Sequence, residues 1–296
     1  MTTLDATVDG AATTNPRARR RRLLRKRFLR RPVAVAGLLI VLFFVFVAIF
    51  APVLAPYGAG ATDFNSLLSH SSSKHLLGTD ELGRDELSRL IWGARASIQA
   101  GVLATILAMI IAVPIGLVGG YYRGWLDTAI ARVTDVLLAF PFIILAVGLA
   151  AILGASLLNA TIAIGIAAVP GLIRITRGET LALREEDFVP AAIANGANDA
   201  TIIFRHILPN MTSTLLVQAT LTIPAAIIGE AVLSFLGLGV QPPTPSWGVM
   251  LQDAQSYLTQ APRLAVYPGL AIVLIALSFN VLGDGLRDIF DPRTTR

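Results

Sequence analysis

The chain has 296 residues, of which 54% are hydrophobic and only 15% are charged, and it contains no cysteine. A soluble domain of this length carries nearer a quarter charged residues, so the excess apolar side chains must face lipid. Without cysteine there is no disulfide, thiol nucleophile or cysteine-based metal site. His70, His75 and His206 are too scattered along the sequence to predict a metal cluster.

The amino-terminal region is strongly basic, because ten of the 24 Lys and Arg residues lie between positions 17 and 31. Arginines just before a long apolar segment typically fix its cytoplasmic orientation and contact anionic lipid headgroups. We therefore interpret residues 1–31 as a disordered basic cytoplasmic tail rather than a nucleic-acid-binding arm. The apolar stretch that follows is too long for the core of a cleavable signal peptide, so we expect a retained first helix.

Six apolar segments are long enough to cross a bilayer, which takes roughly 20 helical residues. The charge-free stretch 136–173 is interrupted at 154–159 (GASLLN), which predicts a hairpin of two spans. The six predicted spans are residues 33–54, 97–122, 136–153, 160–177, 211–238 and 264–283. The sequence thus predicts an all-α membrane protein whose membrane domain covers residues 32–296.

The distribution of basic residues predicts the orientation of these spans. With the amino terminus inside, 19 Lys and Arg residues fall in cytoplasmic segments and 5 in external ones, which places both termini in the cytoplasm. Residues 55–95 then form an external loop. Its last part has apolar side chains on one helical face, which predicts an amphipathic helix. This helix is expected either to lie along the membrane surface or to pack against the bundle and cover it.

The same orientation places a cytoplasmic loop at residues 185–210, and we call its segment 188–210 the knob. Pro190 starts a helix well, Gly196 allows backbone angles that other residues resist, and Asn198 can cap the next turn. These residues predict an alanine-rich helix, a glycine hinge and a second short helix that Pro209 ends. The knob is expected to dock on a soluble partner; the alternative is a plain loop between two spans.

Four stretches carry a family resemblance. They are residues 75–95 (beginning HLLGTDELGRDELSRL), the knob with its ending HILPN, residues 230–248 (EAVLSFLGLG, then PPTPSWG), and residues 282–293 (LGDGLRD, then DPR). Together they resemble the DppC/OppC-type permease subunit of dipeptide/oligopeptide ABC importers over residues 30–296. The knob resembles the "EAA" loop of such permeases. It departs from that loop at Pro190, where the consensus has Glu, and at His206, where it has Ile.

The resemblance implies a type I ABC importer permease of MetI-like architecture in a bacterial cell membrane. It also implies a second permease of the DppB/OppB type, two ABC ATPase subunits or a fused one, an extracytoplasmic substrate-binding protein and a peptide substrate. ATP and Mg²⁺ would be bound by the partner subunits. The chain has no GxxxxGK[ST] phosphate loop, so we expect a non-enzymatic subunit without cofactor or metal.

The resemblance also assigns candidate site residues. The expected ATPase-coupling residues are Ala191, Ala192, Gly196, Ala197, Asp199, Ile203, Phe204, His206 and Pro209. Ile202 is expected to join Ile203 and Phe204 in an apolar group that fills a groove on the partner. Glu230 and Phe235 are candidates for the transport pathway or a subunit interface, since an ionisable group within a span is costly and usually has a cavity or partner. The alternative for Glu230 is a structural hydrogen bond.

Other functions remain as alternatives at this stage. Related importers of nickel or a nickel chelate share these motifs, although the spans carry no His, Asp and Glu cluster that would hold a bare metal ion. A membrane-embedded enzyme is a weaker alternative, since no HExxH or GxSxG motif is present. Composition alone also allows a structural scaffold.

Overall fold

The computed structural model describes residues 28–290, and this part of the chain is built from helices and loops. The basic tail before Phe28 and the sequence DPR at 291–293 lie outside the described residues. The principal helices are α1 (Pro32–Leu54), α2 (Glu86–Tyr122), α3 (Gly124–Leu138), α4 (Phe142–Leu153), α5 (Leu157–Arg184), α6 (Phe188–Ala194), α7 (Asp199–Phe235), α8 (Trp247–Ala254) and α9 (Arg263–Phe290).

Five of these helices, α1, α2, α5, α7 and α9, are long and apolar enough to cross a membrane. A sixth crossing results if α3 and α4 count as one bent span. The all-α membrane architecture predicted from the sequence is therefore confirmed.

The predicted span 136–153 is not one straight helix. Helix α3 begins at Gly124 and ends at Leu138, and α4 leaves it at an angle of 88°. Pro141, which immediately precedes α4, has no backbone N–H and disfavours a helical residue before it. The break therefore falls at residues 139–141, inside the segment predicted to be continuous.

The expected amphipathic helix before residue 95 is not a separate element, because α2 runs without interruption from Glu86 into the second predicted span. The Asp85 side chain accepts a hydrogen bond from the Ser88 N–H at 2.8 Å and caps the helix. Residues 86–113 contain no proline, so the regular hydrogen bonds of the helix continue from Glu86 into the span. Both Ser88 and Arg89, in the first turn of α2, are buried.

Small residues allow the long helices to approach closely. A Cβ atom added at Gly116 or Gly120 of α2 would lie 2.6 Å from the Cβ of Thr176 or Thr180 of α5, respectively. Such close approach is typical of helix pairs in membranes, where packing rather than the hydrophobic effect drives association. Helices α1 and α9 also approach closely, because a Cβ atom added at Gly285 would lie 2.4 Å from the Cβ of Ala34.

Candidate functional site

The knob consists of α6, a tight turn and the first two turns of α7. Gly196 has φ +79°, its N–H donates to the Ile193 carbonyl at 2.9 Å, and the Ala197 N–H donates to the Ala192 carbonyl at 3.0 Å. This is a Schellman motif, which satisfies the last carbonyls of α6. The Asn198 side chain then caps α7. The glycine turn predicted between two helices is thus present.

The prediction that Pro209 ends the second helix is wrong. Residues 202–207 are wound as a π-helix, and the Leu208 N–H donates to the carbonyl of Ile203, five residues earlier. Pro209 lacks an N–H, but it falls in the first turn of the regular α-helix that follows, where proline is tolerated. Helix α7 therefore joins the knob directly to a membrane span.

The apolar residues of the knob divide into two sets. Ile202 and Ile203 are 1% and 7% exposed, and they belong to a buried cluster that includes Tyr121 at the end of α2. Phe204 and Ile193 are 64% and 57% exposed. The expectation that Ile202 and Ile203 fill a partner's groove is therefore wrong, since both side chains are already buried in this cluster. Phe204 and Ile193 are the large apolar side chains available to a partner.

The other predicted coupling residues differ in exposure. Ala191, Gly196, Asp199 and Pro209 are exposed, Ala197 and His206 are half-buried, and Ala192 is buried. The His206 ring stacks on that of Phe188, with centroids 6.4 Å apart. The structure therefore brings these residues together in one compact element, with about half of them at its surface.

Two residues that support the knob were not singled out from the sequence. The Tyr121 hydroxyl donates to the Asp199 carboxylate at 2.8 Å, which ties the start of α7 to the end of α2. The Arg184 guanidinium lies 5.3 Å from the centre of the Tyr121 ring, within the range of a cation–π interaction. In the sequence, the position of Tyr121 just before the helix break at Arg123 and Gly124 was the one indication of this supporting role.

Glu230 lies far from the knob, in the last third of α7, and is fully buried. Its carboxyl group accepts hydrogen bonds from Ser97 of α2 at 2.7 Å and from Ser234 at 2.6 Å. Phe235, at the end of the same helix, is partly exposed. The serine hydroxyls satisfy the carboxyl group in the interior, as buried polar groups require.

Charged side chains form a cluster near the start of α2, and the sequence analysis did not predict their partner on α8. Arg84 Nε lies 2.5 Å from Asp80 Oδ2, and Asp253 Oδ2 lies 3.0 Å from Arg84 Nη2 and 2.7 Å from Arg89 Nη2. Arg89 also bonds Asp80. We call these four residues the clamp, because it fastens the 55–85 loop and α2 to α8. Beside it, burial raises the pKa of the Glu81 carboxyl, and the charge of Asp80 adds to the effect.

The helix bundle with its knob between two spans defines a multi-pass membrane subunit of the kind found in transporters. The chain belongs to the family of binding-protein-dependent transport system inner membrane components, whose profile matches residues 112–296. Residues 20–70 match the N-terminal TM domain of oligopeptide transport permease C. The resemblance to bacterial importer permeases, and the inner-membrane location that it implies, are thereby confirmed.

Several relatives are similar over most of their length. The chain is 45% identical to the dipeptide transport system permease protein DppC of Alkalihalophilus pseudofirmus, covering 90% of this chain and 88% of that protein. It is 47% identical to the glutathione transport system permease protein GsiD of Pectobacterium atrosepticum, covering 90% and 89%.

Among solved structures, the chain resembles a chain in inward-facing conformations of the MetNI methionine ABC transporter. The TM-score is 0.57 at 19% identity, covering 69% of this chain and 97% of that one. A likeness at this identity concerns the fold alone, and it agrees with the MetI-like architecture expected from the sequence.

Proposed function

We propose that this chain is the permease subunit of an ATP-driven ABC importer of di- or oligopeptides and forms half of the translocation pathway. The relatives named for dipeptide and glutathione transport support a small-peptide substrate, since glutathione is itself a tripeptide. We therefore favour peptides over nickel or its chelates. The remaining parts would be a second permease, a pair of ABC ATPases and an external binding protein.

The observation that carries the coupling role is the exposure of Ile193 and Phe204 on a firmly held knob. Exposed apolar side chains rimmed by polar ones mark protein interfaces, and short helices commonly insert such anchors into a groove. The predicted orientation directs the knob into the cytoplasm, where ATPase subunits reside. We infer that these two side chains seat in the ATPase.

The helix geometry supplies a route for the motion. ATP binding on the partner subunits draws them together, and each knob moves with the ATPase that holds it. Because α7 is continuous from Asp199 to Phe235, a displacement of the knob reaches the Glu230 network without crossing a loop. The Tyr121–Asp199 hydrogen bond passes part of the same displacement to α2.

The test is to purify the whole transporter with Phe204→Ala and measure both retention of the ATPases and ATP hydrolysis stimulated by loaded binding protein. A buried aromatic anchor contributes about 2 kcal/mol or more, so the affinity for the ATPase should fall by about 30-fold. Phe64→Ala makes the same change at a side chain 72% exposed in the 55–85 loop and should leave ATPase affinity unchanged. Normal retention after Phe204→Ala and Ile193→Ala combined would refute the coupling role.

A further inference from the structure

Arg95, on α2, differs from the other basic side chains of the predicted external side. Arg84 and Arg89 are held in the clamp, Lys74 pairs with an aspartate, and Arg263 donates to three backbone carbonyls of the 55–85 loop. Arg95 is exposed and has no hydrogen-bond or ion-pair partner among residues 28–290. The four other basic side chains of this side are engaged, so Arg95 is the guanidinium here that a ligand can bind without displacing a partner within residues 28–290.

This guanidinium lines a cavity of about 310 Å³. Gln99, one helical turn further along α2, is also exposed and has no side-chain hydrogen bond within the described residues. Thr244 and Pro243, from the loop after α7, form another part of the wall. Trp92 flanks the cavity, and its Nε1 donates to a loop carbonyl at 3.3 Å. The cavity therefore combines a guanidinium, an amide and a hydroxyl among its lining groups.

We propose that this cavity receives the C-terminal carboxylate of the peptide as it leaves the binding protein, with Arg95 as the residue that binds it. The inference rests on the proposed function. Arginine presents two parallel N–H groups that match the two oxygens of a carboxylate. Every linear peptide carries this carboxylate whatever its side chains, so the site suits a transporter of varied peptides. Gln99 adds a donor and an acceptor for the adjoining peptide group.

A phospholipid is the competing ligand. A second cavity of about 350 Å³ also includes Arg95 and Gln99, and its remaining walls are apolar side chains of α1 and α2. That groove suits an acyl chain whose phosphate lies on Arg95. We favour the peptide because the first cavity adds Thr244 and the loop wall to the same two polar groups, whereas a lipid phosphate at the bilayer surface requires neither.

The first test is uptake by the complete transporter in proteoliposomes, with trialanine and trialanine amide as probes. Arg95→Gln should lower kcat/KM for trialanine by about tenfold or more, as expected for one charge-assisted hydrogen bond, and change uptake of the amide less than twofold. Comparing the acid-to-amide ratio between variant and wild type cancels the binding protein's own preference. Lys74→Gln, an equal change of charge outside the cavity, should leave the ratio unchanged.

The second test uses the absence of cysteine from the chain. Gln99→Cys should react with a membrane-impermeant maleimide added outside, and trialanine should slow the reaction whereas its amide should not. Ser71→Cys, exposed in the 55–85 loop, should react equally with and without peptide. These reactions report binding in the cavity even if a variant transports slowly.

An unchanged acid-to-amide ratio in Arg95→Gln, or equal protection of Gln99→Cys by both probes, would overturn the proposal. Loss of a co-purifying phospholipid from Arg95→Gln, seen by native mass spectrometry with peptide selectivity intact, would assign the site to lipid instead. Failure of the wild-type transporter to import either probe would refute the peptide function itself, which is a different outcome from a failed ratio.

Discussion

Arg89 provides the sharpest test of how the loop outside the spans is held. It is 3% exposed and bonds two carboxylates of the clamp, Asp80 and Asp253. Replacing it with Gln shortens the side chain, keeps a polar amide and removes the charge. The two carboxylates are then left with Arg84 as their common cation.

The magnitude follows from burial. Removing one partner of a buried ion pair costs about 3–5 kcal/mol, because the surviving charge stays in the interior. Asp80 keeps Arg84, whose Nε lies 2.5 Å from its Oδ2, so the low end, about 3 kcal/mol, applies. At about 2–4 °C per kcal/mol for a chain of this size, the melting temperature should fall by about 6–12 °C.

The assay is thermal unfolding of the purified transporter, followed as loss of the monodisperse peak in size-exclusion chromatography. Lys74→Gln breaks the ion pair with Asp63, in which the lysine side chain is 63% exposed, and should produce no measurable change because water screens that pair. If Arg89→Gln lowers the melting temperature no more than Lys74→Gln does, the clamp is solvated and the reasoning from burial is wrong.

Four further predictions concern single side chains. Gly196→Val should leave the spans inserted but weaken ATPase retention, because φ +79° costs a β-branched residue about 1–2 kcal/mol; pull-down at matched expression measures this. Tyr121→Phe should preserve packing but lose the bond to Asp199, so ATPase stimulation by loaded binding protein should fall while basal hydrolysis stays constant. Glu230→Gln should import peptide at the wild-type rate, because the amide oxygen can accept from one serine while the amide N–H donates to the other; loss of uptake would show that the charge is essential. Since burial raises the pKa of Glu81, its ionised form destabilises the fold and that cost disappears as the pH falls through the raised pKa. Glu81→Gln should therefore raise the melting temperature at pH 7.5 more than at pH 5, and a difference independent of pH would contradict this.

Much of this architecture was accessible from the sequence because lipid imposes a simple rule on composition. Long apolar segments had to be helices, and the left-handed backbone at Gly196 was expected from the glycine itself. Residues 136–153 were predicted as one span because an uncharged stretch does not show where a helix changes direction. Pro209 was wrongly predicted to end a helix, because the sequence does not show that residues 202–207 form a π-helix. After this segment Pro209 lies in the first turn of an α-helix, where its missing N–H is tolerated.

The division of the knob into inner and outer faces could not be predicted, because it depends on where α2 lies. Ile203 and Phe204 are adjacent in sequence, and Ile203 is buried in the cluster with Tyr121 and Val189 whereas Phe204 lies outside it. The clamp was hidden by distance along the chain, since Arg89 and Asp253 are 164 positions apart. The local spacing of Asp80, Arg84 and Arg89 does not reveal this long-range partner.

Helix α2 carries Arg89 of the clamp near one end. At its other end it carries Tyr121, which donates a hydrogen bond to Asp199 of the knob. From Arg89 to Tyr121 an unbroken helix extends about 48 Å, longer than the hydrocarbon core is thick. If the helix tilts as a rigid body by about 5° around its midpoint, each end moves by about 2 Å, and the two ends move in opposite directions. In the proposed importer, docking of a loaded binding protein against the clamp end of α2 would therefore displace the knob at the other end.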